Sequence, residues 1–502
     1  MRKIYLFLLT LFCAVGASAQ TTSVLIAPQS WTLVDQANYP TGLVFMEGTT
    51  DHSVSGHTVY KSEGSLTATG ETVTITFSYL KGNHALAPMG VELIDDEGNL
   101  VSSDYHIGKV GGSLTNNVYT LSGLTAATTY TIRIYACNKG GDHQVDSHLG
   151  RIALSGATFN NETAPASGKF YRFKNYSKNG CLISGTSGRT KFGKSSLGST
   201  EANSVFYLDG TKPVSFSTGL YLINSSKFLN YTNAIGSTGA VEFGFEKIFG
   251  ASAYRISIAN GRYLFAASVS SDDPIDSNAG PCTESGNTFQ NYTFTVEEVT
   301  WLPVPMKVVA DEGYATLYSP VQLGLGDGSA RVEVYTVSSA AGTTATLSKQ
   351  QTCVPANTGV ILKYVKDLTN GCVYLPVQAT TEENVRSLLR GSLADELVGD
   401  DAYVLSKPDN GTFGLYKATK NQDDNKWLNQ GFRAYLPANR ITGIGGARVL
   451  TFNFDDNAET GISAVEIEEA APANAAIYDL SGRRVQSAKS GLYIINGKKV
   501  IK

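Results

Sequence analysis

The sequence predicts an all-β chain built from several modules. Three observations carry this expectation. Short runs such as residues 71–79 and 129–135 alternate apolar and polar side chains with period two, the pattern of a half-buried strand. Glycine is plentiful, at 51 of 502 residues, while charged residues make up only 17%. Turn chemistry separates the runs, as in Asp95-Asp96-Glu97-Gly98-Asn99 between two strand-like stretches. Taken in order, the chain divides into a leader (1–19), a β-sandwich (20–160) and a β-trefoil-like barrel (167–300). A third β domain (302–456), a linker (457–475) and a short hairpin tail (476–502) follow.

The leader opens on Arg2 and Lys3, continues with an apolar run over residues 4–15 and ends on Ala17-Ser18-Ala19. A basic start, a short apolar core and an A-x-A site mark a secretory signal peptide cleaved before Gln20. The run is too short to span a bilayer as a mature helix, so no transmembrane anchor is expected after cleavage. Phe12 before Cys13 is too bulky for a lipidation site. The formal net charge is −4, and −6 once Arg2 and Lys3 leave with the leader. A mildly acidic chain without a basic block is not built for nucleic acid or an anionic membrane.

Any imidazole chemistry belongs to the first domain. The six histidines are His52, His57, His84, His106, His143 and His148, and none follows residue 150. On a strand, residues two apart share a face. Asp104 and His106, and likewise Asp146 and His148, therefore place a carboxylate beside an imidazole. With His84, Asp142 and His143 they form a candidate ligand-binding cluster, able to hold a metal ion or sugar hydroxyls. The alternative weighs more: each carboxylate simply orients its neighbouring imidazole. No catalytic residue can be singled out. No cofactor is expected, with a metal ion in the first domain left open.

Five of the six cysteines lie beyond the leader, so at least one has no partner within the chain. Cys181 with Cys282, and Cys353 with Cys372, are candidate disulfides because each pair falls within one domain. Buried thiols are the equal alternative. The spacings match no zinc pattern.

The first domain also carries a resemblance. Gly82-Asn83-His84, residues 90–93, Ser103-Asp104-Tyr105-His106-Ile107-Gly108, residues 116–119, residues 130–133 and residues 146–150 resemble an accessory β-sandwich module. That module is attached to secreted bacterial hexosaminidases, sialidases and related glycan-processing enzymes. There it rides beside a catalytic barrel or propeller, which the remaining segments of this sequence do not resemble.

In the middle domain three units of about forty residues repeat a strand, a turn, a Tyr/Phe-Leu strand, a long loop and a closing aromatic strand. They start at Phe170, Gly219 and Ala253. The repeat predicts a trefoil or similar closed barrel, and it resembles the ricin-lectin-like trefoils of secreted bacterial proteins. It lacks their Gln-x-Trp motif, and its repeated aromatics, Tyr231 and Tyr263 among them, read first as core.

Pro303 and Pro305 mark the next boundary, because proline cannot donate to a central ladder. Gly313-Tyr314-Ala315-Thr316, residues 354–359 and Arg433-Ala434-Tyr435-Leu436-Pro437 resemble a β domain of surface proteins in bacteria with type IX secretion. This domain reads as a spacer. The tail, with Asn496-Gly497 as a hairpin turn, resembles the C-terminal sorting signals of that route. Its partner would be the type IX secretion machinery, and its destination the medium or the outer-membrane surface of a Gram-negative bacterium.

The leading expectation is a non-catalytic surface or secreted protein that binds a glycan or glycoprotein. The alternatives are a glycan-processing hydrolase, or an accessory subunit of one, using the Asp/His cluster, and a purely structural surface component.

Overall fold

The computed structural model describes most of the chain between Gln20 and Asp455. Stretches outside the described residues include 44–56, 82–86, 107–117, 140–148, 194–201, 232–238, 267–276, 283–288 and 326–331, and also 1–19 and 456–476. Every regular element among the described residues is a strand or a short 3-10 turn. The all-β expectation holds.

The first module is a sandwich of two antiparallel sheets. One runs in the order Gln20–Thr21, Ala157–Asn160, His57–Ala68, Thr129–Lys139, Ala87–Ile94 and Leu100–Tyr105. The other holds Ser23–Ile26, Leu149–Ser155, Thr72–Lys81 and Val118–Ser122. The alternation read from the sequence is the alternation of burial. Val73, Ile75 and Phe77 are buried, and Ile132 and Ile134 face them from the opposite sheet's interior set, within one apolar cluster. Leu100–Tyr105 and Val118–Ser122 are the edge strands of the two sheets on the same side of the sandwich.

The middle module contains four strands per repeat. The first unit holds Phe170–Asn175, Cys181–Ser184, Thr190–Gly193 and Phe206–Asp209. The second holds Lys212–Ser215, Leu222–Ser225, Phe228–Tyr231 and Gly244–Lys247, and the third Tyr254–Ala259, Arg262–Ala266, Ser277–Cys282 and Thr293–Glu298. Within each unit the second and third strands pair as a hairpin. The fourth strand of each unit pairs with the first strand of the next, and the last closes back on Phe170–Asn175. The three third strands lie against one another. This is the trefoil-like barrel that the repeat predicts. Phe173, Phe206, Phe243 and Phe294 fill it and are core, while Tyr263 is partly buried under the Arg255 guanidinium and the side chain of Tyr231 lies outside the description.

In the third module a long sheet starts at Lys307–Val309 and passes through Glu312–Ser319, Thr358–Tyr364 and Val332–Ala341. Beyond Thr344–Gln350 the order is Val449–Asp455, Gly414–Lys417, Ala402–Ser406 and Ala434–Pro437. The sheet curls until Ala434–Pro437 returns against Glu312–Ser319, where Ala434 N donates to Thr316 Oγ1 at 3.2 Å. The curl encloses Tyr314, Tyr335, Phe413, Leu415 and Leu436. Pro303 and Pro305 do not break pairing: Trp301–Pro305 pairs in register with Cys372–Pro376. The ribbon has only two strands, so a residue without an N–H can keep that side unpartnered.

The modules are fastened to their neighbours by apolar contact. Phe249 of the middle module enters the core of the sandwich and packs on Phe159 at 5.6 Å. It lies over Gly64, where an added Cβ would come within 2.3 Å of its ring. Phe170, Tyr207 and Phe216 of the middle module share one core with Leu302, Leu317, Val360 and Phe432 of the third.

The expected disulfides are not formed: Cys181, Cys353 and Cys372 are buried thiols. Cys353 and Cys372 lie on strands of two different two-stranded ribbons. Burial pushes the Cys181 thiol up to about 11, which leaves it protonated and inert. In the tail, Leu492–Ile495 and Lys498–Ile501 pair antiparallel with Ile495 opposite Lys498, the register of a two-residue hairpin.

Candidate functional site

Of the seven residues in the expected cluster, His84, Asp142, His143, Asp146 and His148 lie outside the described residues. Asp104 and His106 are described, and the strand ending at Tyr105 does bring them together. His106 Nδ1 stands 3.4 Å from Asp104 Oδ1, and its ring stacks on Tyr119 with centroids 4.0 Å apart. Asp104 has a further partner. Its Oδ2 accepts from Thr120 N at 2.7 Å, and Ser102 Oγ accepts from Ser122 N at 3.2 Å. Residues two apart on one edge strand thus satisfy N–H groups two apart on the other. An edge strand leaves a row of unpaired donors, and here side chains of the facing sheet take them up. Asp104 laces the sandwich shut.

Behind this edge Glu92 is buried and accepts hydrogen bonds from the hydroxyls of Tyr105 and Tyr135, the latter at 2.9 Å. Burial and the Glu92 carboxylate push both phenols well above the ordinary tyrosine range. They stay protonated donors, and the trio is a satisfied polar knot inside the sheet. No group of three or more metal-ligating side chains converges among the described residues.

The cavity lies elsewhere, at the seam where the third module's sheet curls back on itself. It has a volume of about 510 Å³. Tyr314, Ala315 and Thr316 line one side, and Trp427, Asn429, Gln430, Arg433 and Ala434 line the other. Phe413, Leu405, Ser406 and Thr419 are among the remaining lining residues. The aromatic groups are held rigidly. Phe413 packs on Tyr314 at 4.7 Å, while Trp427 meets Tyr435 edge-on at 4.9 Å and donates from Nε1 to Asp400 O at 3.3 Å.

Three of the polar groups, Asn429, Gln430 and Arg433, sit on one turn. Asn429 Nδ2 donates to Ser392 Oγ at 2.8 Å, Gln430 Nε2 to Ser217 O at 3.2 Å, and Arg433 Nη1 to Thr316 O at 3.1 Å. The middle module clamps this turn. Gly431 is so close to Gly219 that a Cβ on either would fall 2.4–2.7 Å from the other's backbone, and Gly219 has a φ of +72°. Phe432 holds a φ of 59°, rare for a bulky side chain, because its ring is locked among Phe170, Phe216 and Tyr207. Asp395 completes the clamp. Its Oδ1 accepts from Gly431 N at 2.8 Å, and its own N donates to Gly219 O at 2.9 Å. Burial raises this carboxyl to about 6, against the downward pull of the Gly431 N–H.

Sequence reasoning missed this cavity although two of its distinctive segments supply part of the lining. Residues 313–316 give Tyr314, Ala315 and Thr316, and residues 433–437 give Arg433 and Ala434. No periodicity brings segments so far apart in the chain together. Only sheet curvature does.

No protein-family model matches the chain, and no curated protein matches it. Among solved structures, it is similar to a GlcNAcα1-4Gal-releasing endo-β-galactosidase from Clostridium perfringens. The identity is 10%, over 48% of this chain and 80% of that one, with a TM-score of 0.23. A likeness that slight carries no argument about fold or activity.

Proposed function

We propose that this chain is an exported, non-catalytic glycan-binding protein whose binding site is the cavity of the third module. The observation that carries the reading is the composition of one enclosure. Tyr314, Phe413 and Trp427 stand beside Ser406, Thr419, Asn429 and Arg433 in a volume of about 510 Å³. A sugar presents apolar C–H faces and a ring of hydroxyls, so its recognition needs flat apolar surface together with directed polar groups. The described lining holds no carboxylate or imidazole, so it offers no acid–base pair for glycoside hydrolysis. That favours binding over turnover. The leader, as a secretory signal peptide, and the tail, on its resemblance to type IX sorting signals, would carry the protein to the cell surface.

The test is a glycan array probed with the full chain and with Thr419→Trp. Thr419 is exposed and lines the cavity, so an indole there blocks the cavity without entering a core. Binding by the native chain that the variant loses by about tenfold or more is the expected result. Absence of glycan binding, or binding that ignores the variant, overturns the assignment.

A further inference from the structure

Among the described residues, no counter-charge meets the guanidinium that lines the cavity. Arg433 is partly buried and lines the wall with Thr316. Among the described residues its side chain makes one hydrogen bond, from Nη1 to a backbone carbonyl, Thr316 O, at 3.1 Å. No carboxylate among the described residues comes within ion-pair distance of it. Of the two buried arginines among the described residues, Arg255 meets Glu246 at 2.6 Å and lies over the Tyr263 ring at 4.0 Å, while Arg172, which lines no part of the cavity, donates from Nε to Ser204 Oγ at 3.1 Å. Removal from water pushes the Arg433 guanidinium below its ordinary range, and the ionisable group that opposes this is the Cys372 thiol. Arginine nonetheless stays protonated.

A guanidinium carries five N–H donors in a rigid plane, and its fork matches the two oxygens of a carboxylate. With Nη1 directed at Thr316, donors remain for a ligand. A partly desolvated cation lacking an acid is costly to hold unless something completes it. Tyr314, Phe413 and Trp427, each 7% exposed, contribute the apolar part of the lining.

We infer that Arg433 makes the cavity selective for carboxylate-bearing sugars, the hexuronate class, over neutral ones. This rests on the glycan-binding reading and adds to it the charge of the ligand. The guanidinium fork takes the sugar carboxylate, the aromatic wall takes the ring face, and Asn429 and Ser406 lie within the same lining for hydroxyls.

The experiment measures binding of the full chain to a hexuronate oligosaccharide, to its methyl ester and to the free monosaccharide acid by calorimetry. The ester removes the charge and adds one methyl group. The expected result is that the acid binds about tenfold or more tightly than the ester, the value of a charge-assisted hydrogen bond. Arg433→Gln brings the two affinities together, while Arg433→Lys restores charge without the fork and recovers only part of the ratio. Equal affinity of acid and ester for the native chain overturns the selectivity and leaves glycan binding standing. A monosaccharide acid that binds as tightly as the oligosaccharide supports the selectivity and places the whole recognition on one sugar ring. Failure of the native chain to bind any saccharide removes both this inference and the function beneath it. Because the acid-to-ester ratio is measured on the native protein, the inference stays refutable even if a variant misfolds.

Discussion

At the scale of single residues, Asp104 shows how the same pair can be read two ways. Two residues from His106 on an extended segment, it looks like half of a ligand set. In the fold its second oxygen is occupied by Thr120 N at 2.7 Å, and Ser102 repeats the contact one step along the strand. The sequence reveals the spacing of Asp104 and His106, but not that a second edge strand lies opposite. Substituting Asp104→Ala removes a charge-assisted bond to a backbone donor and should cost about 1–3 kcal/mol. Denaturant unfolding of the full chain reads this as a lower midpoint for the sandwich. Glycan affinity should not change, because Asp104 is far from the third module's cavity in the chain and forms none of its lining. Loss of binding with unchanged stability would return the function to the first module.

At the scale of elements, the turn carrying Asn429 to Arg433 is set by what it touches rather than by what it is made of. Its left-handed Phe432, its contact between Gly431 and Gly219, and its bond to Asp395 each answer to another segment. Backbone strain of this kind costs of order 1–3 kcal/mol per residue and persists only where neighbours over-determine it. Asp395 adds a pH dependence with a definite sign. Its carboxyl titrates at about 6 in the folded chain, raised by burial from an ordinary value of 3.8. Between those values the folded state holds a proton that the unfolded state has released. Stability from this group is therefore complete below pH 3.8 and is lost as pH rises to about 6. The difference amounts to about 3 kcal/mol at most. Asp395→Asn keeps an oxygen for Gly431 N but cannot ionise. It should remove this falling component between pH 4 and 6 and raise thermal stability at pH 7, as measured by melting at a series of pH values. A variant whose melting curve still follows that of the native chain across pH 4–6 would mean that the clamp does not titrate.

At the scale of the whole molecule, legibility follows the range of the interaction. Period-two alternation is local, so residues 71–79 and 129–135 announce their strands and their inward faces. The threefold repeat is local in the same sense, because each unit restates one strand set, and the barrel follows. The cavity depends on the curl that brings Thr316 to Arg433, and the clamp depends on Gly219 meeting Gly431. Neither pairing leaves a mark in either segment alone. The same holds for module independence. Pro303 and Pro305 suggest a break, yet Leu302 and Val304 are buried in a core shared with Phe170, Phe216 and Phe432. A core held in common cannot be opened from one side only, because each module would expose the apolar surface that the other covers. The middle and third modules should therefore melt in one calorimetric transition. Phe432 lies 2% exposed at the centre of that core, and Phe432→Ala should destabilise the joint transition by about 3–5 kcal/mol. Because the same ring holds the turn that bears Arg433, the variant should also weaken saccharide binding at temperatures where the chain remains folded. Two separate transitions, only one of them shifted by Phe432→Ala, would show instead that the modules fold on their own and that the third keeps its cavity without help.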